Sequence, residues 1–147
     1  MNVTVHQHPR YATAWSAVGR IPPTYDQFSA LLAQDEITLY NDYEGGVGGA
    51  EAARSAVRAI GSSGAALLRN HGVFVVGDSI EQAFTRCLSL EWRSRQAWLV
   101  GSLGGGNTMP EIGVEQSAEY MRKHGERPGL WAWAVRREIR LDPGVIE

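Results

Sequence analysis

A chain of 147 residues has room for one hydrophobic core and no more than one ordinary domain. Its 44% hydrophobic and 20% charged residues exclude a disordered or fibrous chain, and a formal net charge of −2 gives no reason to expect nucleic acid or an anionic membrane as partner. The single Cys87 excludes an internal disulfide, no apolar run approaches the ~20 residues of a membrane span, and no signal peptide precedes Val3, so the expected location is cytoplasmic.

In chain order, Val3-Thr4-Val5-His6-Gln7-His8-Pro9 comes first. Val3 and Val5 alternate as in a strand. On a strand His6 and His8 share a face, roughly 7 Å apart, within reach of one metal ion bound at about 2.0–2.1 Å from each nitrogen. Pro9 is placed to begin a short helix, Tyr11–Val18, that Gly19 stops. After the rigid turn Ile21-Pro22-Pro23, Thr24 reads as the N-cap of a helix over Tyr25–Ala33, with Gln27 at the reciprocal position of a capping box.

Ile37–Tyr40 reads as a strand, and the Gly-rich loop Asn41–Gly49 follows. That loop lacks the GxGxxG spacing of a dinucleotide site, while its Asp42 and Glu44 are placed to reach a nearby site or to lie in solvent. Ala50–Ile60 is a good helix former, with Ala53, Val57 and Ile60 at core-facing spacing and Arg54 and Arg58 on another side.

Ala65–Asp78 reads as strand, tight turn, strand, between Gly61-Ser62-Ser63-Gly64 and Gly77-Asp78. In the turn Asn70-His71-Gly72, Gly72 can supply a positive φ and Asn70 can bond its own backbone. His71 thereby sits on a rigid turn, which suits a metal or acid–base site, although a buried histidine with ordinary hydrogen bonds has the same signature. Together with His6 and His8 it makes three imidazoles, the donor set of a catalytic zinc site with an open position.

Ser79 then caps a long helix, Ile80–Leu103, with Gln82 at the reciprocal position. Ile80, Ala83, Phe84, Cys87, Leu88, Leu90, Glu91, Ala97 and Leu99 form its stripe, with Cys87 as a packed thiol. Trp92 and Trp98 widen that stripe toward either core or a subunit contact. Gly104-Gly105-Gly106-Asn107 and Pro110 break the chain before helices over Val114–His124 and Leu130–Ile139. Trp131 and Trp133 on the last helix call for docking on the domain or a neighbouring subunit rather than on a membrane, and His124 reads as a capping or surface residue.

In this order, His-x-His followed by Pro-Arg-Tyr-Ala-Thr-Ala-Trp-Ser-Ala-Val-Gly-Arg, then Asp42-Tyr43-Glu44-Gly45, Leu68-Arg69-Asn70-His71-Gly72-Val73 and Ser79-Ile80-Glu81-Gln82-Ala83-Phe84, the chain resembles the class II aldolase/adducin family. The resemblance implies an α/β fold, three layers (α/β/α) around a mixed sheet, and a homo-oligomer, usually a tetramer. Family enzymes include fuculose- and rhamnulose-phosphate aldolases and ribulose-phosphate 4-epimerases, which hold a divalent metal, usually zinc, on three histidines. The matching positions are His6, His8 and His71, with Mn2+ or Co2+ also compatible.

In the family the His-x-His strand lies mid-domain. It follows a portion with a substrate-phosphate loop and, in the aldolases, an acidic acid–base residue. Residues 1–147 therefore read as a single partial domain truncated at its N-terminus, with tail helices over about 114–140, and no residue matches the loop or the acid. A sheet edge and an apolar face are then left for something else to cover.

The implied activity is a metal-dependent aldolase-type lyase or epimerase on a small hydroxy-carbonyl compound or sugar phosphate, the metal polarising the carbonyl as a Lewis acid. In the aldolases a tyrosine of the adjacent subunit helps move the proton, and Tyr25 is the positional candidate here. The alternative is a non-catalytic, adducin-like remnant serving in assembly. Retention of all three histidines favours the enzyme, and absence of the acid and phosphate loop favours the remnant.

Overall fold

The structure is a computed structural model in which residues 2–32, 37–41, 50–124 and 129–146 are described. Four strands, β1 (Val3–Gln7), β2 (Ile37–Tyr40), β3 (Ala65–Leu68) and β4 (Gly72–Gly77), form one mixed sheet in the order β1-β4-β3-β2. β3 and β4 are the predicted hairpin, antiparallel and centred in the sheet. β1 adds antiparallel to β4, with Val5 opposite Val75 and His6 opposite Phe74. β2 runs parallel to β3, and the helix α2 (Ala50–Ile60) lies between them in sequence, as a parallel pair requires a crossover.

Successive residues of a strand face opposite sides, so the hairpin's strands, buried at every position but the half-buried Phe74, feed two cores. Ala65, Leu67, Val73 and Val75 pack with Ala12 of α1 (Arg10–Val18) and Leu90 of α3 (Ile80–Ser102). Ala66, Leu68 and Val76 pack with Ile60 of α2 on the opposite face. Helices on both faces of a mixed sheet make the three-layer α/β/α architecture.

Several elements depart from the sequence reading. No helix spans Tyr25–Ala33; only a 3-10 turn forms, Ser29–Leu31, and Ala33 lies outside the described residues. Asp26 sets its start, Oδ1 accepting from the Ser29 N–H at 2.8 Å while Oδ2 accepts from Trp92 Nε1 at 3.0 Å. Thr24 caps nothing: its buried hydroxyl has no hydrogen-bond partner among the described residues, and its carbonyl accepts from Met109 N instead. Leu32 leaves the helical region at φ −111°, ψ 89°, its carbonyl taken at 2.6 Å by Arg93 Nη1.

α2 forms as expected, but Val57 is 69% exposed. Ile60 is buried as expected, while half-buried Ser55 and Ala59 face inward where Val57 does not. The Ala53 side chain lies outside the described ones. On α3, Ile80 and Leu88 are exposed, whereas Arg93, which is not part of the expected stripe, is fully buried. The seam follows Ala83, Leu90 and Ala97 at heptad spacing, and Arg93 enters it because Pro22 and Leu32 present carbonyls to it.

The Ser79 cap is present: its Oγ accepts from Gln82 N at 3.2 Å, and Gln82 Oε1 accepts from Asp78 N at 2.7 Å. Two helices follow, α4 (Glu111–His124) and α5 (Leu130–Leu141). α4 starts a turn earlier than the pattern suggested, since the Pro110 carbonyl already accepts the Val114 N–H at 3.0 Å. α5 docks on α3 through Trp131, whose ring lies 5.3 Å from that of Phe84, and leaves Trp133 half exposed.

Candidate metal centre

β1, β2 and β3 all point their carboxyl ends to one end of the sheet, a placement that follows from the pairing directions. His6, His8 and His71 gather there. His6 projects to the α2 side of β1, its ring 4.7 Å from that of Phe74 on the neighbouring strand. His8 lies one residue beyond the end of β1.

His71 closes the β3–β4 turn, its N–H donating to Leu68 O at 3.0 Å. The turn's chemistry is divided differently from expectation: Asn70 itself takes the left-handed conformation, at φ 57°, and Gly72 does not. Asn tolerates that region better than most residues. Gly72 is needed for space, because a Cβ there would strike Cδ2 of His8 and stand 2.7 Å from Gln7 O. The glycine lets the second strand of the hairpin pass under the His8 ring.

The three rings meet edge to face, with centroids 4.8 to 5.0 Å apart. One nitrogen from each lies within 4.8 Å of the others. His6 Nε2 and His8 Nε2 are 3.3 Å apart. Two ligands of one zinc at about 2.0–2.1 Å and a tetrahedral angle stand about 3.3 Å from each other, so the spacing fits.

His6 Nδ1 lies 3.0 Å from Val73 O. A proton on Nδ1 serves that carbonyl and leaves the Nε2 lone pair directed at the other two rings, the outer-shell arrangement that orients metal-binding imidazoles. His71 has its pKa lowered below the ordinary 6.5, first by burial and then by the charges of His6 and His8. Its neutral form is the one a metal binds. Donor type, spacing and orientation therefore suit a borderline divalent cation.

The other residues singled out in the sequence stand apart from this cluster. Tyr25 lines an open cavity with Trp92, Gln96, Val100 and Met109, and none of the three histidines borders it. Asp42 and Glu44 lie outside the described residues, as does the side chain of His124. Glu91, read as part of the α3 stripe, has a task the sequence reading missed. Its carboxylate accepts from Tyr11 N and Ala12 N, at the start of α1. A carboxylate within an apolar stripe, and a helix opening on a proline without a capping side chain, were the two signals of that pairing.

A sequence profile describing the Class II Aldolase and Adducin N-terminal domain matches residues 1–98. The chain belongs to this family. Among curated relatives, the class II aldolase/adducin chain is 24% identical over 132 residues to a 5-methylthioribulose-1-phosphate/5-deoxyribulose-1-phosphate aldolase of Rhodospirillum rubrum, covering 88% of this chain and 58% of that one. It is 27% identical over 135 residues to a 4-hydroxy-3-prenylphenylpyruvate oxygenase/4-hydroxy-3-prenylbenzoate synthase of Streptomyces roseochromogenus, covering 90% and 46% respectively. Among solved structures, an aldolase II superfamily protein from Pseudomonas syringae superposes with a TM-score of 0.74 at 24% identity, over 95% of this chain and 57% of that one.

These likenesses bear out the family and the fold read from the sequence. The chain spans about half the length of the curated relatives it matches, 58% and 46%. No helix among the described residues is long and apolar enough to cross a membrane.

Proposed function

We propose that this chain binds a divalent metal, zinc foremost and Mn2+ or Co2+ as alternatives, through His6, His8 and His71, and that it serves an aldolase-type lyase or epimerase reaction. The convergence of three imidazole nitrogens within 4.8 Å carries the reading. A metal bound there supplies Lewis-acid polarisation of a substrate carbonyl. The substrate class is a small hydroxy-carbonyl compound or sugar phosphate, in keeping with the curated relative named as a 5-methylthioribulose-1-phosphate/5-deoxyribulose-1-phosphate aldolase.

The chain's own residues have separable tasks. Val73 O holds the Nδ1 proton of His6, keeping its Nε2 available as donor. Burial favours the neutral form of His71, and Gly72 leaves the room in which the His8 ring lies. Proton transfer needs a further group. Tyr25 is our candidate, acting from a second copy, because in its own chain it borders a different cavity. A homo-oligomer, a tetramer by family resemblance, and a cytoplasmic location belong to the same reading.

The rival reading is an adducin-like assembly domain without turnover. It draws support from exposed aromatic surface, Trp98 and Trp133 both at 52%, and from the absence of any carboxylate in the metal-binding group among the described residues. Metal content per purified chain, measured beside His71→Ala, separates the two. Near-stoichiometric metal that disappears in the variant supports the metal centre and calls for a screen of hydroxy-aldehydes and ketose phosphates. Well-folded protein without metal hands the lead to assembly.

A further inference from the structure

We propose that Glu91 is a positioning residue for the metal centre, fixing His8 through the first turn of α1. The proposal rests on the metal reading above and adds to it a residue eighty positions away in sequence from the turn it holds.

His6 is aimed by Val73 O, at 3.0 Å. His8 has no such support: among the described residues its ring hydrogen-bonds only to His6, and the β1–β4 register ends at the pair before it, Gln7 with Val73. Its direction is therefore set by the backbone on either side. Upstream, β1 is tied to β4. Downstream, only Pro9 separates His8 from α1, and Pro9 is the N-cap of that helix, at φ −69°, ψ 145°, with no side-chain cap.

The first N–H groups of a helix have no partner within it, and a proline at the cap contributes no acceptor side chain. Glu91 takes that place from outside. Its two oxygens accept from Tyr11 N at 3.0 and 3.1 Å, and the second also accepts from Ala12 N at 2.9 Å. The negative charge meets the positive end of the helix dipole as well.

Glu91 is itself held firmly. Leu90 before it and Arg93 after it are fully buried. One turn further along α3, Ser94 O accepts from Trp15 Nε1 at 2.9 Å, so α1 is bonded to α3 at its start and near its middle. The path from core to metal ligand is short and stiff: α3, the Glu91 carboxylate, Tyr11, Pro9, His8.

A carboxylate that only caps a helix would change the stability of the fold and nothing else. One that positions His8 also changes how well the folded chain binds metal. The test is a Co(II) titration of the full chain followed by visible absorption, with circular dichroism to establish folding, on the wild type, Glu91→Gln, Glu91→Asp and His71→Ala.

Glu91→Gln keeps the length and one acceptor oxygen; Glu91→Asp keeps the charge but is one methylene short. We expect folded variants whose Co(II) affinity drops by about 10- to 100-fold, as for loss of other outer-shell partners, with Gln the milder of the two. Should the Asp variant unfold, the near-isosteric Gln carries the comparison. Lower melting temperatures with wild-type Co(II) affinity overturn the proposal while leaving the metal reading intact. A wild type that binds no Co(II), or a His71→Ala variant that binds it undiminished, removes the metal reading, and the proposal with it.

Discussion

At Gly72 the absence of a side chain has a definite use. A methyl group there would meet the His8 ring on one side and the Gln7 carbonyl, 2.7 Å away, on the other. The backbone oxygen cannot rotate aside, so the end of β1 must move. Gly72→Ala is expected to lower stability by about 1–3 kcal/mol, the usual range for overpacking, and to weaken metal binding because His8 shifts with the strand. Urea unfolding and metal titration check the two halves separately; metal affinity equal to wild type would show that His8 tolerates the displacement. Cys87 makes a second prediction at this scale. Burial pushes its thiol up to about 11, from an ordinary value of 9.0. Both folded and unfolded chains carry the neutral thiol below pH 9, so its contribution is intact there. Between 9 and 11 the unfolded chain ionises while the folded chain does not, and stability falls as pH rises. Cys87→Ala is expected to flatten that part of the pH–stability curve. Thiol labelling of the wild type near pH 8 is expected to be slow in native buffer and fast in denaturant.

Among the elements, the most legible were those whose instructions are local. The β3–β4 hairpin is bounded by its own turn residues, and α3 begins where Ser79 and Gln82 say it should. The convergence of His6, His8 and His71 was legible for a related reason: the first two are two residues apart on and just past β1, and the third lies on the turn beside the strand that pairs with it. Long-range terms decided the rest. Arg93 reaches Pro22 O and Leu32 O across 71 and 61 residues, and no window around Arg93 signals that it is buried. The same contact ends the turn after Ser29, where propensity favoured a longer helix. Asp26, not Thr24, wins the capping competition because Trp92 holds its carboxylate from the other side. Arg93→Ala tests how far the fold depends on this. It would leave both carbonyls without their donor and open a cavity, and we expect a loss of about 3 kcal/mol by denaturant unfolding. A loss below about 1 kcal/mol would mean that relief of the buried charge offsets both costs. α4 offers the opposite sign. Gly113 lies inside it, and among the described residues an added Cβ would meet only Met109 and Pro110 side-chain atoms, at 3.7 and 3.8 Å. Gly113→Ala is expected to raise stability by about 0.5–1 kcal/mol, read as a higher melting temperature.

For the molecule as a whole, the histidines join parts that are otherwise held unequally. His71 sits on the turn of the hairpin whose strand β3 is fully buried, whereas His6 and His8 sit on and just past β1, which among the described residues is a strand at the edge of the sheet with one hydrogen-bonded neighbour. A ligand that binds only the folded state stabilises it by about 2.7 kcal/mol at one hundred times its dissociation constant. For a chain of this size each kcal/mol moves the midpoint by about 2–4 °C, so chelation is expected to lower the melting temperature by about 5–10 °C. His71→Ala should melt near the chelated midpoint and be indifferent to chelator. The location of the loss is a sharper test than its size. Because the metal would fasten the edge strand to the central hairpin, chelation should speed hydrogen exchange most at the amides of Val3–Gln7 and least at Ala65–Leu68, whose protection comes from the two cores. Uniform acceleration across both strands would mean that metal acts on global stability alone, and that β1 keeps its place by pairing with β4.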